Sequence, residues 1–177
     1  MIQFSVDDII IHVYQREHPA QLSHYSQHAR FIDDRDLNKD GEAVYVIVSK
    51  GLSTPKYFIV AFRTSPLGYA GFSPCIHYEY ESQSLFIGAG NIIKIYRLSD
   101  HQLIFEDKCA VGIWGWQKYK NVIIAQEETA LRVFDLQGKQ LWEMYVTPPY
   151  DFTIEGELIH VTFEDVFETR NLLTGKL

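Results

Sequence analysis

The chain has 177 residues, of which 46% are hydrophobic, 22% charged and 14% aromatic, a composition typical of a globular protein that folds without a disulfide or a metal. The formal net charge is −7, and this acidic balance excludes a protein whose main task is to bind the nucleic-acid backbone. The N-terminal residues carry neither a basic segment nor a long apolar run, so we expect a cytoplasmic protein without a membrane partner.

The first 63 residues predict a strand, a loop and a hairpin. Residues 6–14 form a plausible strand, whereas residues 20–30 are polar without an apolar stripe and predict a loop or a short helix. Residues 43–49 and 57–63 are rich in β-branched and aromatic side chains and predict paired strands. The Ser-, Pro- and Gly-rich residues 64–74 are typical of a linker. We expect this linker to join the hairpin to the rest of one domain.

A possible calcium loop precedes the first strand of this hairpin. Asp36, Asn38 and Asp40 place oxygen side chains at alternate positions, and Gly41 follows, as at the start of a calcium-binding loop. The twelfth position is Ile47, inside a predicted strand, where such a loop has a bidentate glutamate. We therefore interpret the segment as an acidic turn and keep calcium as the alternative.

The seven histidines and two cysteines do not form a metal-ligand pattern. His24 and His28 would share one face of a helix, but no third ligand has a matching spacing. We expect surface histidines, no metal and no cofactor. Cys75 and Cys109 are expected to be reduced, small apolar core residues, with a disulfide as the alternative.

The second half of the chain repeats itself with a period of 37 to 38 residues. The run Ile93-Lys94-Ile95-Tyr96 returns as Leu131-Arg132-Val133-Phe134, and a weaker third copy begins near Leu158. Each copy alternates with period two, and short turns separate its runs, so we predict an antiparallel meander of about four strands. Predicted strands are residues 85–89, 92–98, 122–126, 130–136 and 139–146.

Residues 131–141, with the sequence LRVFDLQGKQL, resemble the third strand of tryptophan-aspartate β-propeller repeats. Phe134 stands where that family has its tryptophan, and residues 92–98 resemble the same element. Repeats of the quinoprotein type fit equally well. The resemblance covers residues 74–177 and implies a propeller-like fold.

At 38 residues per unit, the chain has room for about four units and part of a fifth, while closed propellers have at least four. We therefore predict an all-β protein of antiparallel four-stranded meander sheets that form a partial or open propeller. The alternative is that an N-terminal strand within residues 1–14 completes the third copy.

No sequence motif indicates catalysis. A nucleophile elbow and a phosphate-binding glycine loop are both missing, and we interpret Glu127 and Glu128 as solvated residues of a hairpin turn. An enzyme remains the less favoured reading. That alternative is a hydrolase whose site is formed by loops near His77 or His160.

Aromatic residues between 114 and 145 are the remaining functional signal. In a regular strand Trp114 and Trp116 would point to the same face. Packing between sheets explains such residues, but tryptophan and tyrosine also dominate interface hot spots. We therefore predict a non-catalytic protein-binding module, for example an immunity or antitoxin protein that inhibits a basic partner by charge complementarity. The candidate partner-binding residues are Trp114, Trp116, Tyr119, Trp142 and Tyr145.

Overall fold

The computed structural model describes residues 1–51, 56–64 and 72–177. It divides into two compact units, Met1–Pro74 and Cys75–Leu177. The boundary coincides with the predicted start of the repeats at residue 74. That the two units form one domain stays a prediction, and the predicted linker, residues 64–74, lies largely outside the described residues.

In its described residues, the first unit contains a five-stranded sheet and one short helix. The sheet has the order β1-β2-β4-β5-β3, in which β3 and β5 are parallel and all other neighbours are antiparallel. The elements are β1 (Ile2–Val6), β2 (Ile9–Gln15), α1 (Leu22–Gln27), β3 (Ala29–Asp36), β4 (Glu42–Lys50) and β5 (Lys56–Thr64).

Two predictions for this unit are confirmed, and a third is correct except at its start. The β4–β5 pair and the short helix α1 lie where the sequence predicts them. The predicted strand over residues 6–14 is present as β2 from Ile9 onward, but its start is wrong, because the chain turns at Asp7, whose φ is +51°, and β1 pairs back onto β2. Strand β3 was not predicted. Its alternating exposed and half-buried residues lack the apolar run that marks β4.

The second unit consists of three antiparallel meanders, which we call the first, second and third sheets. Their strand orders follow the sequence, β6-β7-β8-β9, β10-β11-β12-β13 and β14-β15-β16. The first sheet contains β6 (Cys75–Glu79), β7 (Ser84–Ala89), β8 (Ile92–Arg97) and β9 (Gln102–Lys108). The second contains β10 (Ile113–Tyr119), β11 (Val122–Glu127), β12 (Ala130–Asp135) and β13 (Gln140–Tyr145). The third contains β14 (Tyr150–Glu155), β15 (Leu158–Phe163) and β16 (Val166–Asn171).

The predicted repeat is present in the backbone. Strands β8 and β12 begin and end at positions that the sequence repeat aligns. Both carry a register shift against the following strand at equivalent places, between Ile95 and Tyr96 and between Val133 and Phe134. A shared irregularity of this kind indicates that the copies are structurally equivalent units.

The turns after the third strands repeat as well. Gly138 and Gly175 both have positive φ, +89° and +66°, and each lies against the preceding sheet. A Cβ at Gly138 would lie 2.5 Å from Cγ2 of Ile95, and one at Gly175 would lie 2.6 Å from Cγ of Trp142. Each turn therefore requires its glycine for two reasons. The backbone has a positive φ, and a side chain would collide with the preceding sheet.

Apolar side chains fill the spaces between successive sheets. Phe86, Ile95 and Phe134 belong to the core between the first and second sheets. Val133 and Val161 belong to the core between the second and third. All five side chains are fully buried. Stacking of the sheets hides the apolar faces that each meander would expose alone.

The all-β prediction with meander sheets in a partial, propeller-like arrangement is confirmed. The third copy is present where the sequence predicts it, because β15 begins at Leu158, and the third sheet contains three strands. The alternative in which an N-terminal strand completes the third copy is wrong, because β1 and β2 pair in the sheet of the first unit. Among the described residues, none of the helices has the length and hydropathy to cross a membrane.

Candidate functional site

An open cleft of about 660 Å³ lies beside the first strand of the second sheet. We call it the Trp114 cleft. Its lining residues come from β10, from the end of β11 with its turn, and from the segment that leads into β14. They are Trp114, Gln117, Gln126, Glu128, Pro148, Pro149, Tyr150, Asp151 and Phe152.

A β-bulge directs Trp114 into this cleft. Ile113 pairs with Glu127, and Gly115 pairs with Gln126, so Trp114 is the extra residue of β10. A bulge breaks the period-two alternation of a strand. Trp114 therefore lies on the same side as Gln117, which also lines the cleft.

Trp116 points to the opposite side of the second sheet. Its ring contacts Phe86 and Phe134 edge to face at centroid distances of 5.4 and 6.1 Å. Its indole Nε1 donates to the carbonyl oxygen of Cys75 at 3.2 Å. The expectation that Trp114 and Trp116 share one face is wrong, and the bulge is the reason.

Glu128 holds the ring of Trp114 in place. The indole Nε1 donates a hydrogen bond to Oε2 of Glu128 at 2.6 Å, and the backbone N–H of Glu128 donates to the carbonyl oxygen of Gly112 at 2.9 Å. The Trp114 side chain nevertheless remains 54% exposed. The structure thus presents a large exposed aromatic surface whose indole N–H is hydrogen-bonded to Glu128.

Negative charge is concentrated at the cleft. Glu128 and Asp151 are the charged side chains among its lining residues in the described part of the chain. The hydroxyl of Tyr150 donates to the carbonyl oxygen of Glu127 at 2.6 Å. Burial raises the pKa of Tyr150, and the carboxylates of Glu127 and Glu128 raise it further. Tyr150 is therefore a neutral wall of an acidic cleft.

The other predicted binding residues are divided between surface and core. Tyr145 is 76% exposed and pairs with Ala130 at the end of β12, the same end of the second sheet as Trp114. Tyr119 packs on the core between the second and third sheets and donates to the carbonyl oxygen of Gly156 at 3.2 Å. Trp142 packs on the same core and donates to the carbonyl oxygen of Leu172 at 2.8 Å. Trp114 and Tyr145 lie at the same end of the second sheet, on its two edge strands β10 and β13, and the other three residues lie between sheets.

The sequence did not predict an ionic cluster around Arg132 of β12, in the second sheet. Arg132 lies 2.6 Å from Glu127, 2.5 Å from Asp107 and 3.5 Å from Glu143. Glu127 is buried and is not the solvated turn residue that the sequence suggested. Burial raises its pKa, against the opposing effect of Arg132. The sequence offered one indication of this cluster: Arg132 and Lys94 occupy the same repeat position inside apolar strands. Lys94 is also buried, and its Nζ lies 3.1 Å from the carboxylate of Glu106.

The remaining sequence candidates occupy separate places. His77 lies 3.6 Å from the buried carboxylate of Glu79, and burial lowers its pKa. His160 is in the third sheet, where its Nδ1 lies 2.8 Å from Oγ1 of Thr169. Neither histidine lines the Trp114 cleft.

The candidate metal-binding residues are also placed. Asp36 ends β3 and forms an ion pair with Lys39 at 2.5 Å. His24 in α1 and His28 directly after it are both exposed, with ring centroids 4.7 Å apart. Clusters of three or more His, Cys, Asp or Glu side chains suited to a metal are not found in the described residues.

Both cysteines are free thiols in the structure. Cys109 is buried in the core between the first and second sheets, and Cys75 packs against that core. Burial raises the pKa of Cys75 to about 12, and it also raises the pKa of Cys109.

The repeated meanders define the class of this protein as propeller-like. No protein-family model matches the chain, and no curated protein matches it. Solved structures of Hsv2, a β-propeller protein, are weakly similar. Hsv2 of Kluyveromyces lactis has 14% identity and a TM-score of 0.32 over 56% of this chain and 34% of its own. Hsv2 of Kluyveromyces marxianus has 13% identity and a TM-score of 0.32 over 57% and 34%.

A third structure, KlHsv2 with loop 6CD replaced by a Gly-Ser linker, has 17% identity and a TM-score of 0.34 over 59% of this chain and 38% of its own. The matched region thus spans between 34% and 38% of the length of these structures. The fold assignment rests on the repeated sheets themselves.

Proposed function

We propose that the second unit is a non-catalytic module that binds a basic protein through the acidic, aromatic end of its second sheet. The observation that carries this proposal is Trp114, which is 54% exposed yet fixed by Glu128 at the edge of an acidic cleft. A concrete version is an immunity or antitoxin protein that neutralises a cationic nuclease in the cytoplasm.

Two physical arguments support a binding surface here. Tryptophan and tyrosine are enriched among interface hot spots, and Tyr145 adds a second exposed ring at the same end of the sheet. Because Trp114 is already held by its hydrogen bond, a partner would lose little side-chain entropy in ordering it. The net charge of −7 would speed association with a basic partner.

We further propose that the repeats are of the tryptophan-aspartate or quinoprotein type. Phe134 stands at the position of the family's tryptophan and is fully buried, as is Tyr96 at the equivalent position of the first sheet. Both therefore have the packing role expected of a large aromatic residue in that strand.

An affinity-capture experiment tests the proposed function. Immobilised wild-type protein and the variants W114A/Y145A, E128Q/D151N and E155Q are exposed to extract of the source cells. Glu155 is exposed at the other end of β14, so E155Q removes a matched charge away from the cleft. We expect wild-type and E155Q proteins to retain the same basic protein at low salt, and roughly 0.5 M NaCl to release it.

The two cleft variants should retain much less of that protein. Equal capture by all four proteins would rule out this surface as the binding site, and capture that salt does not weaken would rule out binding by charge complementarity. The captured basic protein is then purified, and its dissociation constant is measured for the wild type and each variant.

A further inference from the structure

We propose that the Trp114 cleft receives an arginine side chain of the partner, with the guanidinium group between the carboxylates of Glu128 and Asp151 and against the ring of Trp114. This inference rests on the proposed function and names the chemical group that the cleft recognises.

The walls of the cleft suit a flat, delocalised cation. Trp114, Tyr150 and Phe152 contribute aromatic rings, and Pro148 and Pro149 contribute apolar ring surface. A guanidinium group stacks on aromatic faces and is more weakly hydrated than an ammonium group, and tryptophan is the best aromatic partner for a cation. The walls therefore favour arginine over lysine.

The carboxylates retain the acceptor capacity that a guanidinium group needs. Glu128 accepts one hydrogen bond from Trp114 through Oε2, and Asp151 accepts one from the backbone N–H of Phe152 through Oδ1 at 2.8 Å. A carboxylate has two oxygens and about four lone-pair positions. Each can thus accept further bonds from the five donors of an arginine.

The electrostatic environment has the sign that this ligand requires. The charged side chains among the lining residues are the carboxylates of Glu128 and Asp151, and the carboxylates of Glu127 and Glu128 also raise the pKa of Tyr150 in the cleft wall. Gln117 and Gln126 are bonded to each other at 3.0 Å and add no charge. An anionic ligand would therefore meet repulsion here, whereas a cation would be attracted.

The cleft is also large enough for more than one side chain. Its volume of about 660 Å³ lies within the range of sites that enclose whole small ligands. Its open form allows the residues that flank the arginine to enter with it. We therefore infer a short segment of a basic protein that presents one arginine.

NMR titration with small probes tests this inference without the natural partner. The probe is N-acetyl-arginine amide. N-acetyl-citrulline amide, which has the same shape without charge, and N-acetyl-lysine amide serve as comparisons. The indole N–H signals of Trp116 and Trp142 are internal references, since these groups donate to backbone carbonyl oxygens between sheets. The variant W114F assigns the signal of Trp114.

We expect the arginine amide to shift the Trp114 signal saturably, with a dissociation constant on the order of millimolar, and to leave both references in place. The lysine amide should bind at least several-fold more weakly, and the citrulline amide should cause no saturable shift. E128Q/D151N should weaken arginine binding at least about tenfold, and E155Q should leave it unchanged.

Two results would overturn the inference. One is the absence of a saturable shift at Trp114 with the arginine amide, and the other is an equal shift with the citrulline amide. Either result would leave the proposed function standing if the cleft variants still lost the basic protein in affinity capture. Loss of that capture difference would instead refute the proposed function.

Discussion

Trp114 and Trp116 lie on opposite sides of the second sheet although only Gly115 separates them. Trp114 is the extra residue of the bulge in β10 and lines a cleft. Trp116 packs between the first and second sheets. One strand thus contributes a cleft residue and a core residue from two neighbouring tryptophans.

This arrangement predicts unequal costs for two identical substitutions. Trp116→Ala removes a ring that contacts Phe86 and Phe134 and should lower the free energy of unfolding by about 3 kcal/mol. Trp114→Ala removes an exposed ring and should cost less than about 1 kcal/mol. Urea denaturation of both variants measures the difference. A larger loss for Trp114→Ala would contradict the positions assigned to the two rings.

Substitution of a glycine tests how closely the sheets are stacked. Gly138→Ala places a methyl group in a residue with φ of +89° and 2.5 Å from Ile95, so we expect a loss of about 2 to 4 kcal/mol from strain and overpacking. Gly156→Ala is the control, because Gly156 has φ of +64° with nothing within 4 Å of its added Cβ. It should cost about 1 kcal/mol. Thermal or urea unfolding that shows equal losses would argue against close packing at Gly138.

The buried carboxyl of Glu127 predicts an unusual pH dependence. Its pKa is raised above the ordinary value of 4.5, so the folded state binds its proton more tightly than the unfolded state does. The stability of the wild type relative to Glu127→Gln should therefore fall as pH rises from about 4.5 through the raised pKa, and then level off. The charged or titratable groups that act on it are Arg132, Cys109, Glu143 and Asp107.

Urea denaturation of both proteins between pH 4 and 8 measures this difference. Glu155→Gln is the control variant, because it shows how the loss of one exposed carboxylate alone changes stability with pH. A difference that is constant with pH, or that increases with pH, would show that Arg132 outweighs burial at this position.

The two thiols should be unreactive in the folded protein. The thiolate is the reactive form, and burial raises the pKa of Cys75 to about 12, so only about one thiol in 10⁴ is ionised at pH 8. We expect an aromatic disulfide reagent to modify both cysteines at least roughly 100-fold more slowly in buffer than in 6 M guanidinium chloride. Rapid modification of the native protein would contradict the burial of Cys109 and the packing of Cys75 against the same core.

The repeat was predictable because each copy must hide the same faces from water. Strands β8 and β12 match the sequence repeat from end to end, since nearly all of their side chains are buried between sheets and must be matched in both copies. Strand β3 was not predictable in this way. Its parallel pairing with β5 joins segments with no local turn between them and leaves half of its side chains exposed.

The candidate site was only partly predictable, for a reason that lies in the backbone. Regular alternation places Trp114 and Trp116 on the same face of β10, and the bulge places them on opposite faces. Gly115 between them was the indication of a bulge, since a glycine within a strand often marks one. The acidic wall of the cleft joins Glu128 to Asp151 across a sequence gap, and a sequence pattern does not bring such residues together.

Hydrogen–deuterium exchange on the complex tests the central claim most directly. The protein is measured alone and saturated with the basic protein recovered by affinity capture. We predict that protection on binding is concentrated in residues 113–117 and 147–152, around the Trp114 cleft. Protection confined to residues 119–121 and 155–158, at the opposite ends of the same strands, would contradict the account.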